Sequence, residues 1–181
     1  MYMNKIRGTG NTYKSKEREM PLVGIIAKKK DILAIKKDVE KENIEIIEIT
    51  RESITNMKNI KFEEIIILKD IELQTEEYKY MKEIISKVQY LIINEDIEMN
   101  VLKKMQMEKP IKVITFGFNS KSTITISSVK EEKIIICIQR NIEKMNGYII
   151  EEQEKEIKID EGNNKKIYNE LAKFIIKELH N

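Results

Sequence analysis

The sequence predicts an α/β protein, and three observations carry that prediction. Short apolar runs recur at 22–27, 44–49, 63–68, 90–93 and 112–116, separated by polar stretches that hold apolar residues at helical spacing. After Gly117 the rhythm changes to period two, as in S-T-I-T-I-S-S-V at 122–129. The last segment returns to a helical period, with Ile167, Leu171, Ile175 and Leu179 in one row. Strands that alternate with helices need crossovers, and crossovers make parallel pairs. The expectation is a mostly parallel Rossmann-like sheet with flanking helices, an antiparallel β extension after residue 117 and a C-terminal helix.

Each element has its own warrant. L-V-G-I-I-A at 22–27 follows Pro21 and is apolar throughout, as a strand covered on both faces requires. Residues 28–41 carry Ile32, Ile35 and Val39 at helical spacing. I-E-I-I-E-I at 44–49 reads as the second strand, 50–57 as a short helix at most, and E-E-I-I-I-L at 63–68 as the third strand. Residues 76–88 form an amphipathic helix with Tyr78, Met81, Ile85 and Val88 on one stripe. Y-L-I-I at 90–93 is the fourth strand. A helix over 96–105 follows, facing inward through Ile97, Val101, Leu102 and Met105, with Asn94 or Asp96 as its cap. After the fifth strand at 112–116 come a ribbon at 122–129, a turn at 130–133, I-I-I-C-I at 134–138 and an Asn146-Gly147 turn. Strands at 148–151 and 156–160 and a helix over 165–179, packed on its own sheet, complete the order.

Composition narrows the function classes. Apolar residues make up 41% of the chain, enough for a real core, so one folded domain over 21–181 is expected. Residues 1–20 read as an aperiodic, flexible basic tail. Lys5, Arg7, Lys14, Lys16 and Arg18 there face only Glu17 and Glu19, so the net charge of +2 resides in that tail. A folded basic face is therefore not expected, and with no Trp and four Phe neither is a base-stacking platform; nucleic-acid binding is not predicted. The one cysteine, Cys137, stands in an apolar run and reads as a small buried hydrophobe. The one histidine, His180, is too far along the chain from it to suggest a nucleophile–base pair, and no Cys/His metal motif is present. The first apolar run is much shorter than the roughly 20 residues that span a bilayer, so a cytoplasmic protein without a membrane segment is expected.

Four places suggest chemistry. G-T-G-N-T-Y-K-S at 8–15 approaches a phosphate loop, but Tyr13 stands where the second glycine belongs, and no core strand precedes it. Lys28, Lys29 and Lys30 follow the first strand and reach an anion only if they are not simply a solvated helix start. Asn94, Glu95 and Asp96 follow the fourth strand at the carboxyl edge, where open α/β sheets bind ligands. Gly117 lies between Phe116 and Phe118, and Asn119, Ser120 and Lys121 supply donors at the tip of that turn.

Y-L-I-I-N-E-D followed by V-I-T-F-G-F-N resembles the central domain of the Mur ligase family, the ATP-dependent amide ligases of peptidoglycan precursors. In that family one strand ends in N-x-D-D and the next in T-[YF]-G. An antiparallel ribbon follows, then a helix preceded by a G-x-H-N turn; E-G-N-N at 161–164 stands in that place without the histidine. The resemblance covers about half the chain and implies that Asn94, Asp96, Gly117 and Asn119, with Lys121 beside them, border a crevice near the family's adenine and ribose. Ile97 stands where the second Asp is expected. No G-K-[ST] follows the first strand, the span from there to Asn94 is shorter than the family's, and no amino-acid-binding C-terminal domain follows. Phosphoryl transfer depends on groups that position phosphates and Mg²⁺. The resemblance therefore implies a shortened bacterial relative that is non-catalytic, binding or regulatory, with no catalytic residue, no metal, no cofactor and a possible protein partner. The alternatives are a nucleotide-binding protein or enzyme that uses ATP and Mg²⁺ in the crevice around Asn94 and Asn119, or an accessory subunit of an amide ligase.

Overall fold

L-V-G-I-I is apolar at every position because the strand it forms, β1 (Leu22–Ile26), lies between two helical layers. The computed structural model describes residues 20–181 except 99, 106, 108, 109 and 160–165. Residues 1–19 of the basic tail, with the G-T-G-N-T-Y-K-S stretch, and the E-G-N-N turn lie outside the described residues. From β1 the chain passes through α1 (Lys29–Val39) and a 3₁₀ turn over Glu40–Glu42 to β2 (Glu45–Glu48). It continues through α2 (Ile54–Met57), β3 (Glu64–Ile67), α3 (Thr75–Ile85), β4 (Tyr90–Asn94) and α4 (Asn100–Lys104) to β5 (Lys112–Gly117). Then follow β6 (Ile124–Val129), β7 (Lys133–Ile138), β8 (Ile142–Glu143), β9 (Ile149–Ile150), β10 (Gln153–Lys158) and α5 (Ile167–His180).

Eight strands form one sheet in the order β10-β7-β6-β5-β4-β3-β1-β2, and β8 and β9 make a separate antiparallel hairpin. Strands β1 to β5 pair in parallel throughout, and β6–β7 and β7–β10 are antiparallel. This is the expected α/β architecture. One pairing differs from expectation: β6 joins β5 in parallel, through Phe116↔Ile124 and Gly117↔Thr125 only. Residues 118–123 double back so that β6 starts beside the end of β5 and runs on past it.

Helices α1 and α5 cover one face and share a core with Val23, Ile25, Ile66, Ile92, Ile114 and Phe116. Helices α2, α3 and α4 cover the other, over Ile26, Ile65, Ile67 and Leu91. The chain thus changes sides between β1 and β3, which places the sheet's switch point at their carboxyl ends. Gly24 fits inside β1 because Ile49 closes over it: a Cβ there would stand 2.6 Å from Ile49 Cδ1. Helix α5 buries Ile167, Leu171, Ala172, Ile175, Ile176 and Leu179 against its own sheet. A buried Ile or Leu contributes about 1.5–3 kcal/mol, against about 0–1 for an exposed ion pair, so the apolar stripe holds this helix.

Two local expectations are corrected. The helix expected over 96–105 starts later, as α4, and neither Asn94 nor Asp96 caps it; Asp70 reaches across and accepts the Val101 N–H at 3.0 Å. Cys137 is half-buried. The α1/α5 core takes Ile134, Ile136 and Ile138, so the residues between them face the side that the other helices do not reach.

Candidate functional site

The carboxyl edge of the sheet gathers three of the five residues singled out from sequence: Asn94, Asp96 and Gly117. Asn94 ends β4 and is fully buried. Its Oδ1 accepts the Asp96 N–H at 3.0 Å, an Asx turn that swings the chain out of the strand. Asp96 then closes back on β5. Its Oδ2 accepts the Phe118 N–H at 2.8 Å and the Tyr168 O–H at 2.9 Å.

Gly117 makes this closure possible. Its φ is +153°, and a Cβ there would lie 2.5 Å from Asp96 Oδ2 and 2.7 Å from its carboxyl carbon. Phe116 and Phe118 pack around the Tyr168 ring, with centroids 6.5 and 6.4 Å away. Burial first, and then the bond to the Asp96 carboxylate, push the Tyr168 phenol up to about 12. Glu95 completes the knot. Its N–H donates to the Phe116 carbonyl at 2.9 Å, and its Oε2 accepts a short hydrogen bond from the Ser122 hydroxyl. Each residue of N-E-D is thus engaged within the fold.

Asn119 and Lys121 do not join this knot. Asn119 Oδ1 accepts the Lys121 N–H at 2.9 Å, and its carbonyl accepts from Ser122 N–H and Thr125 Oγ1. Both residues are exposed and organise the 118–123 loop from within. The three lysines at 28–30 are exposed beside the switch point. Asn169, in the first turn of α5, donates through Nδ2 to Asp31 Oδ1 at 3.0 Å and ties the starts of the two helices together.

Two features bear on what the edge can hold. The Asn94 Nδ2 is buried without a hydrogen-bond partner, an unmet donor of the kind a ligand or an ordered water satisfies. The β1–α1 connection has only Ala27 and Lys28 between strand and helix. A phosphate-wrapping loop needs several successive free amides, and two residues do not make one. The connection after β1 therefore forms no phosphate-wrapping loop. Among the described residues there is no group of three or more His, Cys, Asp or Glu placed to hold a metal ion, and no helix is long and apolar enough to cross a membrane.

Sequence reasoning missed a second polar contact, at the opposite edge. Glu64, first residue of β3, is fully buried, and burial pushes its carboxyl pKa up. His180, at the end of α5, places Nε2 3.3 Å from Glu64 Oε2. The alignment is poor: both Glu64 oxygens and His180 Nε2 lack a hydrogen-bond partner. The only available signal was a glutamate leading an apolar run and the chain's single histidine closing an apolar stripe.

The fold and the edge define a Rossmann-like α/β protein with a polar knot at the carboxyl ends of β4 and β5. No protein-family model matches the chain, and no curated protein matches it.

Proposed function

We propose that this chain is a non-catalytic binding or regulatory protein built on a Mur-ligase-like sheet, acting through a protein partner. The observation that carries this reading is the bonding of Asp96. In the resemblance its position borders a nucleotide crevice; here one oxygen takes both the Phe118 N–H and the Tyr168 O–H, and the carboxyl group lies against Gly117. A carboxylate so engaged serves as a brace between β5 and α5 and is poorly placed as a base or a metal ligand. The two-residue β1–α1 connection supports the same reading.

A specific observation favours a second reading, a nucleotide-binding protein or enzyme that uses the crevice in its own way: the unmet Asn94 Nδ2. Thermal unfolding of the full chain with ATP, ADP and Mg²⁺ separates the two. The binding-scaffold reading expects no stabilisation by any of them. A clear Mg-ATP shift that disappears in Asn94→Ala overturns it in favour of the second.

A further inference from the structure

The sheet has a vacant strand position. Ile124 of β6 pairs with Phe116 on one side and Ile138 on the other. At that level β5 and β7 are therefore two strand spacings apart, about 9.5 Å. β6 starts at this level and Thr123 lies against Thr115, so no strand pairs with this side of β5 from Lys112 to Ile114. The far wall continues as residues 140–143, beyond β7. A cleft of about 320 Å³ fills the gap, with Val113, Thr123, Arg140 and Glu143 among its walls.

The backbone of β5 is oriented to use it. The Phe116 carbonyl accepts from Glu95 N–H, on the β4 side. The Thr115 N–H points the other way, to Thr123 Oγ1 at 3.3 Å, and Thr123 N–H returns a bond to Thr115 Oγ1 at 3.0 Å. These two bonds close the upper end of the cleft. Peptide groups alternate along a strand, so Val113 shares the Thr115 direction and turns its N–H and C=O into the cleft. Val113 is 41% exposed, among the few large apolar residues at the surface. The Tyr90 hydroxyl, donating to the Glu143 carbonyl at 2.6 Å, braces the far wall.

Charge selects the occupant. Lys112 is already paired with Glu143. Among the described residues the Arg140 guanidinium donates only to the Lys121 carbonyl, at 3.1 Å, and no carboxylate lies within ion-pair distance of it. We propose that this cleft receives a short extended segment of a partner protein, added as a strand along Val113 of β5, with a carboxylate side chain on Arg140. The site lies on the opposite side of β5 from the Asn94–Asp96 knot and uses none of its residues. Its failure therefore leaves the scaffold reading standing, and a Mg-ATP shift leaves this proposal standing.

The test is amide hydrogen exchange by NMR on the full chain. The probe is a blocked pentapeptide, Thr-Val-Glu-Val-Thr, with versions carrying Gln or Lys in place of Glu. In the free protein the Val113 amide exchanges quickly while Ile114, bonded to β4, is protected. The Glu peptide slows Val113 exchange; the Gln peptide, or Arg140→Gln in the protein, weakens binding about tenfold. Because Arg140 is exposed, Arg140→Gln should leave the fold's exchange pattern intact. A Val113 amide already protected in the free monomer overturns the proposal, as does unchanged exchange at millimolar peptide or equal binding of the Lys peptide. Protection that grows with protein concentration overturns it in favour of a second copy of this chain.

Discussion

Helix α5 meets the sheet through a polar contact at each end, and the two contacts are built differently. At its start, the Tyr168 hydroxyl donates to Asp96, which also takes the Phe118 N–H. At its end, His180 faces Glu64 across 3.3 Å with three polar atoms left unbonded. The difference follows from where each carboxylate sits. Asp96 lies beyond the end of β4, in a turn free to bend until its donors align. Glu64 opens β3, and its backbone is held in register by Val23 on one side and Tyr90 on the other. A side chain on a strand pinned from both sides takes the geometry the sheet leaves it. Polar groups on loops come to satisfy one another; a polar group on a central strand is satisfied only if its neighbour happens to reach.

The comparison breaks most readily at Gly117. Gly117→Ala combines an unfavourable φ with a Cβ inside the Asp96 carboxyl group, and should cost about 3 kcal/mol in urea unfolding. A loss below about 1 kcal/mol would mean that Asp96 swings aside freely and that the carboxyl-edge contact is no tighter than the other.

The next effect is at the opposite end. His180→Ala leaves Glu64 buried with no polar neighbour from α5 and should cost about 2 kcal/mol at neutral pH. Glu64 also carries a pH signature. Its raised pKa means that the folded state keeps the proton above the ordinary glutamate value of about 4.3. That contribution to stability is fully present below this value and is lost as pH rises through the folded pKa. Wild type should therefore lose stability relative to Glu64→Gln over that rise. The charge on neighbouring Glu63 pushes the same way, and the nearby His180 opposes it. Parallel stability curves for the two proteins would sink the claim that burial raises the Glu64 pKa.

The smallest effect sharpens the carboxyl-edge contact. Tyr168→Phe removes one of two donors to Asp96 and should cost about 1 kcal/mol. Ultraviolet titration provides a cleaner readout: of seven tyrosines, Tyr168 should ionise late, near 12. Asp96→Asn should bring that step down. A late step that persists in Tyr168→Phe would belong to another tyrosine.

Legibility in the sequence followed the same division. The five parallel strands and the stripe of α5 were readable because period and run length report burial directly. N-E-D and T-F-G-F-N were readable as special, since turn residues at strand ends stand out from apolar runs. Their bonds were not readable: nothing near Asp96 in sequence announces Tyr168, and a lone Glu64 before an apolar run resembles many solvated strand starts. The late start of α4 was hidden because its first turn is capped by Asp70, from another loop. The parallel β5–β6 pairing was hidden because alternation reports which face is buried and is silent on strand direction.

By itself, the sequence determined the fold class, the order of the elements from β1 to β5 and the two places where the chain must turn sharply, because these depend on local period and on what glycine permits. Only the tertiary structure decided which carboxylate is bonded and which is stranded, and that one strand position beside β5 stands open. Those outcomes depend on distances between residues far apart in the chain, set by how the sheet is ordered and where α5 comes to rest.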